Sequence, residues 1–191
     1  MRSKAYKVLV ADPPWPFTDK LPGGGRGAAK HYKLLKIPDI VRFLATDVEE
    51  KVSEKGAILF LWIVPAMSTE ALDVVRGWGF TPKSELIWVK TSTESAQAEY
   101  LAGRMPTLSF GMGRYVRMSH ERCIIATRGK ALHLVGDHST RSVFFAPVGK
   151  HSAKPDAFYN LVEKLVPGGP YLELFARRKR EGWTTLGDEV G

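Results

Sequence analysis

The run Ala57 to Val64 (AILFLWIV) follows a glycine, Gly56, and contains no polar residue. A strand buried on one face alternates apolar and polar residues. A strand covered on both faces is instead continuously apolar, and this is the pattern of an interior strand in a parallel sheet. Such a strand requires helices on both sides. Tyr6 to Ala11 (YKVLVA) reads as a buried first strand, stopped by Asp12, Pro13 and Pro14 because proline cannot continue a central strand. A pair of helical segments is predicted between Pro38 and Glu54, where Ile40, Val41, Leu44, Val48 and Val52 recur at helical spacing and Thr46 and Glu49 have capping-box spacing. Met67 to Trp78 is a further amphipathic helix, closed by Gly77 and Gly79. Strands are predicted at Ser84 to Lys90, Cys123 to Thr127, Val143 to Ala146 and Tyr171 to Ala176, with Trp183 to Leu186 as an edge. Phe158, Leu161, Val162 and Leu165 mark a helix with Pro155 and Asp156 in its first turn, ended by Gly168 and Gly169. This alternation predicts an α/β fold, a three-layer sandwich around a mostly parallel sheet. Periodicity lapses between Thr91 and Ser119, which marks a long functional connection.

At 191 residues the chain is expected to form a single domain, 1–191, with enough material for a real core. Its 28 Lys and Arg against 20 Asp and Glu give a net charge of +8, compatible with a polyanionic partner such as nucleic acid. Cys123 is the only cysteine and sits in an apolar stretch, so it reads as a small buried hydrophobe in a reducing compartment. No apolar run approaches the ~18 residues of a membrane helix, and Met1 to Ala5 is too polar and short for a signal peptide. A cytoplasmic protein away from membranes is expected.

Several familiar chemistries are excluded by spacing. The Gly-rich stretch Leu21 to Ala29 lacks the lysine and hydroxyl of a P-loop, and Gly111 and Gly113 are followed by Val116 where a dinucleotide fingerprint needs glycine. Of the five histidines only His133 and His138 are close in sequence, and Cys123 stands alone, so no metal site is expected. Asp12-Pro13-Pro14-Trp15 is different. An exocyclic amine on an aromatic base is a poor nucleophile because its lone pair is delocalised into the ring, and two acceptors aimed at its hydrogens would localise that pair. Asp12 supplies a carboxylate, the Pro-Pro segment a rigidly held carbonyl, and Trp15 a flat apolar face on which a base can stack. A rigid turn is the plain alternative.

The tetrapeptide is accompanied by His31-Tyr32, Phe60-Leu61-Trp62, Glu85 to Lys90, His120 to Cys123, His151 to Asp156, Leu172 to Arg177, Gly182-Trp183 and Gly187-Asp188-Glu189. In these segments the chain resembles the S-adenosylmethionine-dependent adenine N6-methyltransferases of the D-P-P-W type. That family includes messenger-RNA adenosine methyltransferases and many bacterial and phage DNA enzymes. The resemblance spans nearly the whole chain. It implies a Rossmann-like class I methyltransferase fold in permuted order, with the catalytic strand first and the cofactor-binding strand last. Asp12, Pro13, Pro14 and Trp15 would be catalytic. The cofactor's methionine carboxylate would lie near Lys154, its ammonium near Asp12, and its ribose near Arg177, with Phe175 beside it. Its adenosine end would lie towards Asp188 and Glu189, where the family more often has Asn at the position of Asp188.

Tyr32, Trp62 and Lys90 are second-tier candidates for the substrate pocket, Trp62 standing equally well as core. Arg178, Lys179 and Arg180 are candidates for nucleic-acid phosphates, or else a basic exposed turn. Trp88 reads as core, and His120 and Glu121 as orienting groups of undecided target. The resemblance implies methyl transfer to adenine N6 in nucleic acid, with DNA favoured over RNA because a short chain resembles the bacterial and phage members. A bacterial or phage-infected cell is the setting it implies. Cytosine N4, where related enzymes usually carry Ser in place of Asp12, and an inactive nucleic-acid-binding subunit are the rivals. A homodimer or a partner subunit is left open.

Overall fold

The structure, a computed structural model, describes residues 5–17, 34–111, 113, 115–149, 153–187 and 190. Its centre is a seven-stranded sheet of β1 (Val8–Ala11), β2 (Gly56–Ile63), β3 (Thr81–Thr91), β4 (His120–Gly129), β5 (Val143–Pro147), β6 (Tyr171–Leu174) and β7 (Trp183–Leu186), in the order β5-β3-β4-β2-β1-β6-β7. β1 pairs in parallel with both β2 and β6, in register Val8 with Ile58 and with Tyr171. β6 and β7 are parallel, as are β3 and β5, whereas β4 runs antiparallel to both neighbours. The first and sixth strands therefore lie side by side, which is the permuted arrangement expected of the chain.

Alternate residues of the central strands face opposite layers. On one face Leu9, Leu59, Leu61, Leu172 and Leu174 pack against α1 (Ile37–Asp47) and α2 (Ser68–Gly77), which bury Ile40, Leu44, Val74 and Val75. On the other, Val10, Phe60 and Trp62 meet Phe158, Tyr159 and Val162 of α4 (Asp156–Leu165). This is the expected three-layer sandwich, mostly parallel. Pro38 and Asp39 in the first turn of α1 suit a helix N-terminus, where an N–H is dispensable and the dipole favours an anion. α2 ends at Gly79, whose φ of +74° is a conformation glycine adopts without steric cost. At Gly56 a Cβ would sit 2.6 Å from the Lys130 carbonyl oxygen, so β2 must start on glycine to pass the end of β4.

Four local expectations are corrected. The continuous apolar run of β2 does report burial on both faces, but one of its neighbours is the antiparallel β4; burial does not encode the direction of the partner. Thr46 is not a helix N-cap: it lies inside α1 and its hydroxyl donates back to the Arg42 carbonyl at 3.1 Å, while Glu49 opens a short 3-10 turn. The last long run stops at Leu174 because Phe175 turns to φ +60°. The connection after Thr91 contains a short helix, α3 (Ala96–Leu101), with too few residues to establish a helical period. The Gly-rich stretch and Tyr32 lie outside the described residues. No helix among the described residues is long and apolar enough to cross a membrane.

Phe158 is fully buried and touches the rings of Phe60, Trp62 and Phe144, with centroids 6.2, 4.7 and 6.4 Å away. Phe158→Ala is expected to destabilise the domain by about 3–5 kcal/mol, the usual result of emptying a well-packed aromatic site. Urea unfolding monitored by tryptophan fluorescence reads this directly.

Candidate active site

In open sheets of this kind ligands bind beyond the carboxyl ends of the strands, where the chain order reverses. β1 is that point, since the chain goes on to β2 on one side and returns as β6 on the other. A cavity of about 250 Å³ opens there, against ~150 Å³ for one that takes up benzene. Asp12, Pro13 and Trp15 reach it from the turn after β1, Trp62 from the end of β2 and Lys90 from the end of β3. Because β4 is antiparallel, its first residues, His120 and Glu121, reach the same edge. Lys154, just before α4, and Arg177, just after β6, complete the wall.

Charges alternate along this wall. The Lys154 ammonium donates to Asp12 Oδ2 at 2.8 Å and lies 3.2 Å from Glu121 Oε2, while Lys90 holds Glu121 Oε1 at 2.8 Å. Lys154 also sits 5.0 Å above the ring of Trp62. Its side chain is 9% exposed. Burial opposes charge on Lys154, but Asp12 and Glu121 together overcome it and hold the ammonium well above the ordinary lysine range. Glu121 likewise resists ionisation through burial, and the two lysines reverse the effect, so its carboxyl lies below the usual glutamate value. Lys154 and Glu121 are therefore both held in their charged forms.

The D-P-P-W turn is braced from within. The Trp15 N–H donates to the Pro13 carbonyl at 2.8 Å, and the Pro14 carbonyl accepts the Leu35 N–H at 3.0 Å. Pro13 faces the cavity; Pro14 is not among its lining residues. A carbonyl oxygen has two lone pairs, so the Pro13 oxygen retains capacity for one more donor. Trp15 is more deeply set than a free stacking platform, at 4% exposure, with its indole N–H donating to the Trp62 carbonyl at 3.0 Å. Trp62 is itself buried, and its indole nitrogen has no hydrogen-bond partner among the described residues. Trp88 is core, its N–H donating to the Ala146 carbonyl, and Cys123 is a buried free thiol that burial keeps protonated.

Two features escaped the sequence reading. Glu173 interrupts the apolar strand YLELFA, and an acid in such a run is the signal that could have singled it out. It is 7% exposed and accepts the Tyr159 hydroxyl at 2.6 Å on Oε1, while Oε2 has no partner among the described residues. Burial raises its carboxyl above the usual glutamate value, and nearby Asp12 adds to this. Glu121, left undecided from the sequence, proves to be the bridge between the two lysines.

Among the described residues, Phe175, Arg178, Lys179 and Arg180 do not line the cavity. Phe175 packs its ring 4.4 Å from Phe43 and, through its left-handed backbone, turns the chain so that Arg177 reaches the site. Arg178 pairs with Asp156; Arg180 pairs with Asp156 at 3.1 Å and Glu163 at 3.1 Å and lies 4.8 Å over the Tyr159 ring. These arginines tie the turn after β6 to α4. Lys179 is exposed between them. Asp188 and Glu189 lie outside the described residues.

Removing the central cation tests the charge chain. Lys154→Met is expected to lower stability at pH 7 by about 2 kcal/mol, below the ~3–5 kcal/mol of a fully buried pair, because the Asp12 and Glu121 side chains remain 22% and 28% exposed. The depressed Glu121 pKa stabilises the fold above the unfolded glutamate value, and that contribution is lost as pH falls through the depressed one. In the variant the buried Glu121 carboxylate, having lost one of its two cations, is penalised while ionised and relieved on protonation. The gap between the two proteins should therefore narrow below about pH 4, as urea midpoints at several pH values would record.

The chain is similar to a family of known proteins along nearly its whole length. Residues 6–189 match the MT-A70 family model. The chain is 30% identical over 187 residues to a probable N(6)-adenosine-methyltransferase MT-A70-like protein of Oryza sativa, covering 97% of this chain and 23% of that protein. It is 28% identical over 187 residues to the N(6)-adenosine-methyltransferase catalytic subunit METTL3 of Homo sapiens, covering 97% of this chain and 28% of that one. It is 26% identical over 204 residues to the type II methyltransferase M.MunI of a Mycoplasma species, covering 98% and 78%. The chain thus spans about a quarter of the length of the plant and human relatives. With the family model running across all seven strands of the sheet, the chain belongs to the MT-A70 family.

Proposed function

We propose that the protein transfers a methyl group from S-adenosylmethionine to the N6 amine of adenine in nucleic acid, with DNA the favoured substrate. The observation that carries this reading is a single cavity in which a carboxylate and a proline carbonyl, Asp12 and Pro13, meet cations from the other end of the chain, Lys154 and Arg177. The relatives named N(6)-adenosine-methyltransferases support the target atom; the similarity to a type II methyltransferase of a Mycoplasma species supports the bacterial and phage resemblance on which the DNA preference rests.

The residues fit the donor. It carries a carboxylate, an ammonium and ribose hydroxyls, and this site offers Lys154 for the first, Asp12 for the second and Arg177 for the third. The buried Glu173 Oε2 is a further acceptor close enough to Asp12 to feel its charge. When bound, S-adenosylmethionine supplies a sulfonium-borne methyl that the amine nitrogen attacks, the electron pair of the breaking bond passing to sulfur.

Asp12 and the Pro13 carbonyl each accept one N–H of the amine, which draws its lone pair out of the ring and aims it. An ionised carboxylate offers about four lone-pair sites, so the bond to Lys154 leaves Asp12 room for this. As the nitrogen gains its new bond it becomes acidic, and Asp12 stabilises the positive charge and receives the proton on its way to water. Lys154 is held too firmly in its charged form to act as the base. The rate gain comes from orientation and fixed charge, without a covalent enzyme intermediate.

Asp12→Ala is expected to lower turnover by at least ~10²–10³-fold, the range seen when one preorganised polar contact is removed, with the fold intact by circular dichroism. Labelled-methyl transfer to matched single- and double-stranded DNA and RNA, followed by nucleoside digestion and mass spectrometry, reads both rate and product. Wild-type-like turnover in the variant would falsify the role of Asp12, and N4-methylcytosine as product would overturn the choice of base.

A further inference from the structure

The segment between β3 and β4 carries an unusual set of exposed side chains. Met105 is 84% exposed, Phe110 60%, Tyr115 97% and Val116 62%. Exposed arginines, Arg104 and Arg117, lie in the same stretch. Large apolar groups left in water mark a surface that something covers. Interleaved with arginine on a protein of net charge +8, they complement a polyanion that also offers flat apolar faces.

The segment is laced to the cavity rim rather than trailing from it. At the end of β3, Lys90 donates its N–H to the Ser119 carbonyl at 2.8 Å, and its own carbonyl accepts the Ser109 N–H at 2.9 Å. Ser92 donates to the Thr107 carbonyl at 3.2 Å. Beyond these, Gly111 and Met118 form an antiparallel bridge, Gly111 N–H to Met118 carbonyl at 2.9 Å, and the Arg117 guanidinium donates to the Gly113 carbonyl at 3.2 Å. Lys90 and Met118 both line the cavity. Phe110, between Ser109 and Gly111, and Tyr115, in the turn that the Gly111–Met118 bridge closes, are thereby tied through a few hydrogen bonds to residues of the cavity wall.

From this arrangement we infer that Phe110 and Tyr115, with Arg104 and Arg117, form the surface that grips the nucleotides on either side of the target adenine. The rings stack on unpaired flanking bases and the guanidinium groups meet their phosphates. A base can enter the cavity only after leaving its own stack, and neighbours stripped of that contact find a replacement on these rings. The preferred substrate is accordingly a single strand or an opened stretch of duplex. The inference rests on the reading of the cavity as an adenine site.

The test uses the full chain with Phe110→Ala, Tyr115→Ala and Tyr115→Trp, side chains exposed enough that unfolding temperatures should not move. Fluorescence anisotropy with a labelled single-stranded oligonucleotide containing adenine should show about tenfold weaker binding for each alanine variant and near-complete rescue by tryptophan. A duplex of the same sequence should bind more weakly than the single strand. In turnover assays KM for the oligonucleotide should rise while kcat stays within about twofold, and calorimetric affinity for S-adenosylmethionine should be unchanged. Unaltered oligonucleotide binding in the alanine variants, absence of binding by the wild type, or tighter binding of duplex overturns the inference. So does sedimentation showing a dimer of this chain that Tyr115→Ala dissociates, because the rim would then be an interface between copies. Binding that follows the expected pattern without methyl transfer by the wild type would instead overturn the methyltransferase reading and leave the nucleic-acid surface standing.

Discussion

The parallel pairing of β1 with β6 is the contact on which the site depends. Val8 faces Tyr171 and Ala11 faces Leu174, so both strands end at the same level. The chain beyond β1 is Asp12 and Pro13; beyond β6 it is Phe175 and Arg177. Two segments remote in sequence are thereby delivered to one crevice, and α4, packed across the second face, brings Lys154 to the same place. Parallel strands need a long crossover between them. Here nearly the whole fold is that crossover, which makes the site inseparable from global folding.

The charges at the crevice are costly to bury and so are informative. A buried ion pair contributes little net stability over well-packed apolar residues, yet Lys90, Glu121, Lys154 and Asp12 alternate in sign without a gap. Each lysine is balanced by a carboxylate, and Glu121 spends both its oxygens on cations. The result is an acceptor, Asp12, held in place by a partner that is itself held. Catalysis by preorganised charge requires groups that do not have to reorient when the reaction occurs, and this chain of contacts provides such rigidity at one wall of the cavity.

A second brace lies at the end of β6. Phe175 takes a left-handed backbone that bulky residues avoid, of order 1–3 kcal/mol in cost, and its ring packs on Phe43 of α1. Directly afterwards, Ala176 donates its N–H to the Leu186 carbonyl at 2.9 Å and Arg178 and Arg180 clamp the turn to Asp156 at the start of α4. The same residues enclose Tyr159, whose hydroxyl supports Glu173. Strand end, helix start and buried acid form one connected unit beside Asp12.

Much of the fold was legible because burial is written locally. A run such as AILFLWIV must be interior wherever it sits, a proline pair must end a strand, and helical spacing in α1, α2 and α4 needs no partner to be recognised. The D-P-P-W segment was legible as a turn for the same reason, because adjacent prolines end a strand whatever packs around them. Other features are properties of contacts between distant segments, and only the tertiary structure decided them. The direction of β4, the setting of Trp15 against the Trp62 carbonyl, the bridging role of Glu121 and the burial of Glu173 under Tyr159 all depend on which strand lies beside which. Asp12 and Lys154 are 142 residues apart in the chain and 2.8 Å apart in space. Sequence by itself determined which groups this protein has available and which segments must be buried; the packing of the sheet determined which of those groups meet, because a side chain's partner is set by global topology and not by its neighbours along the chain.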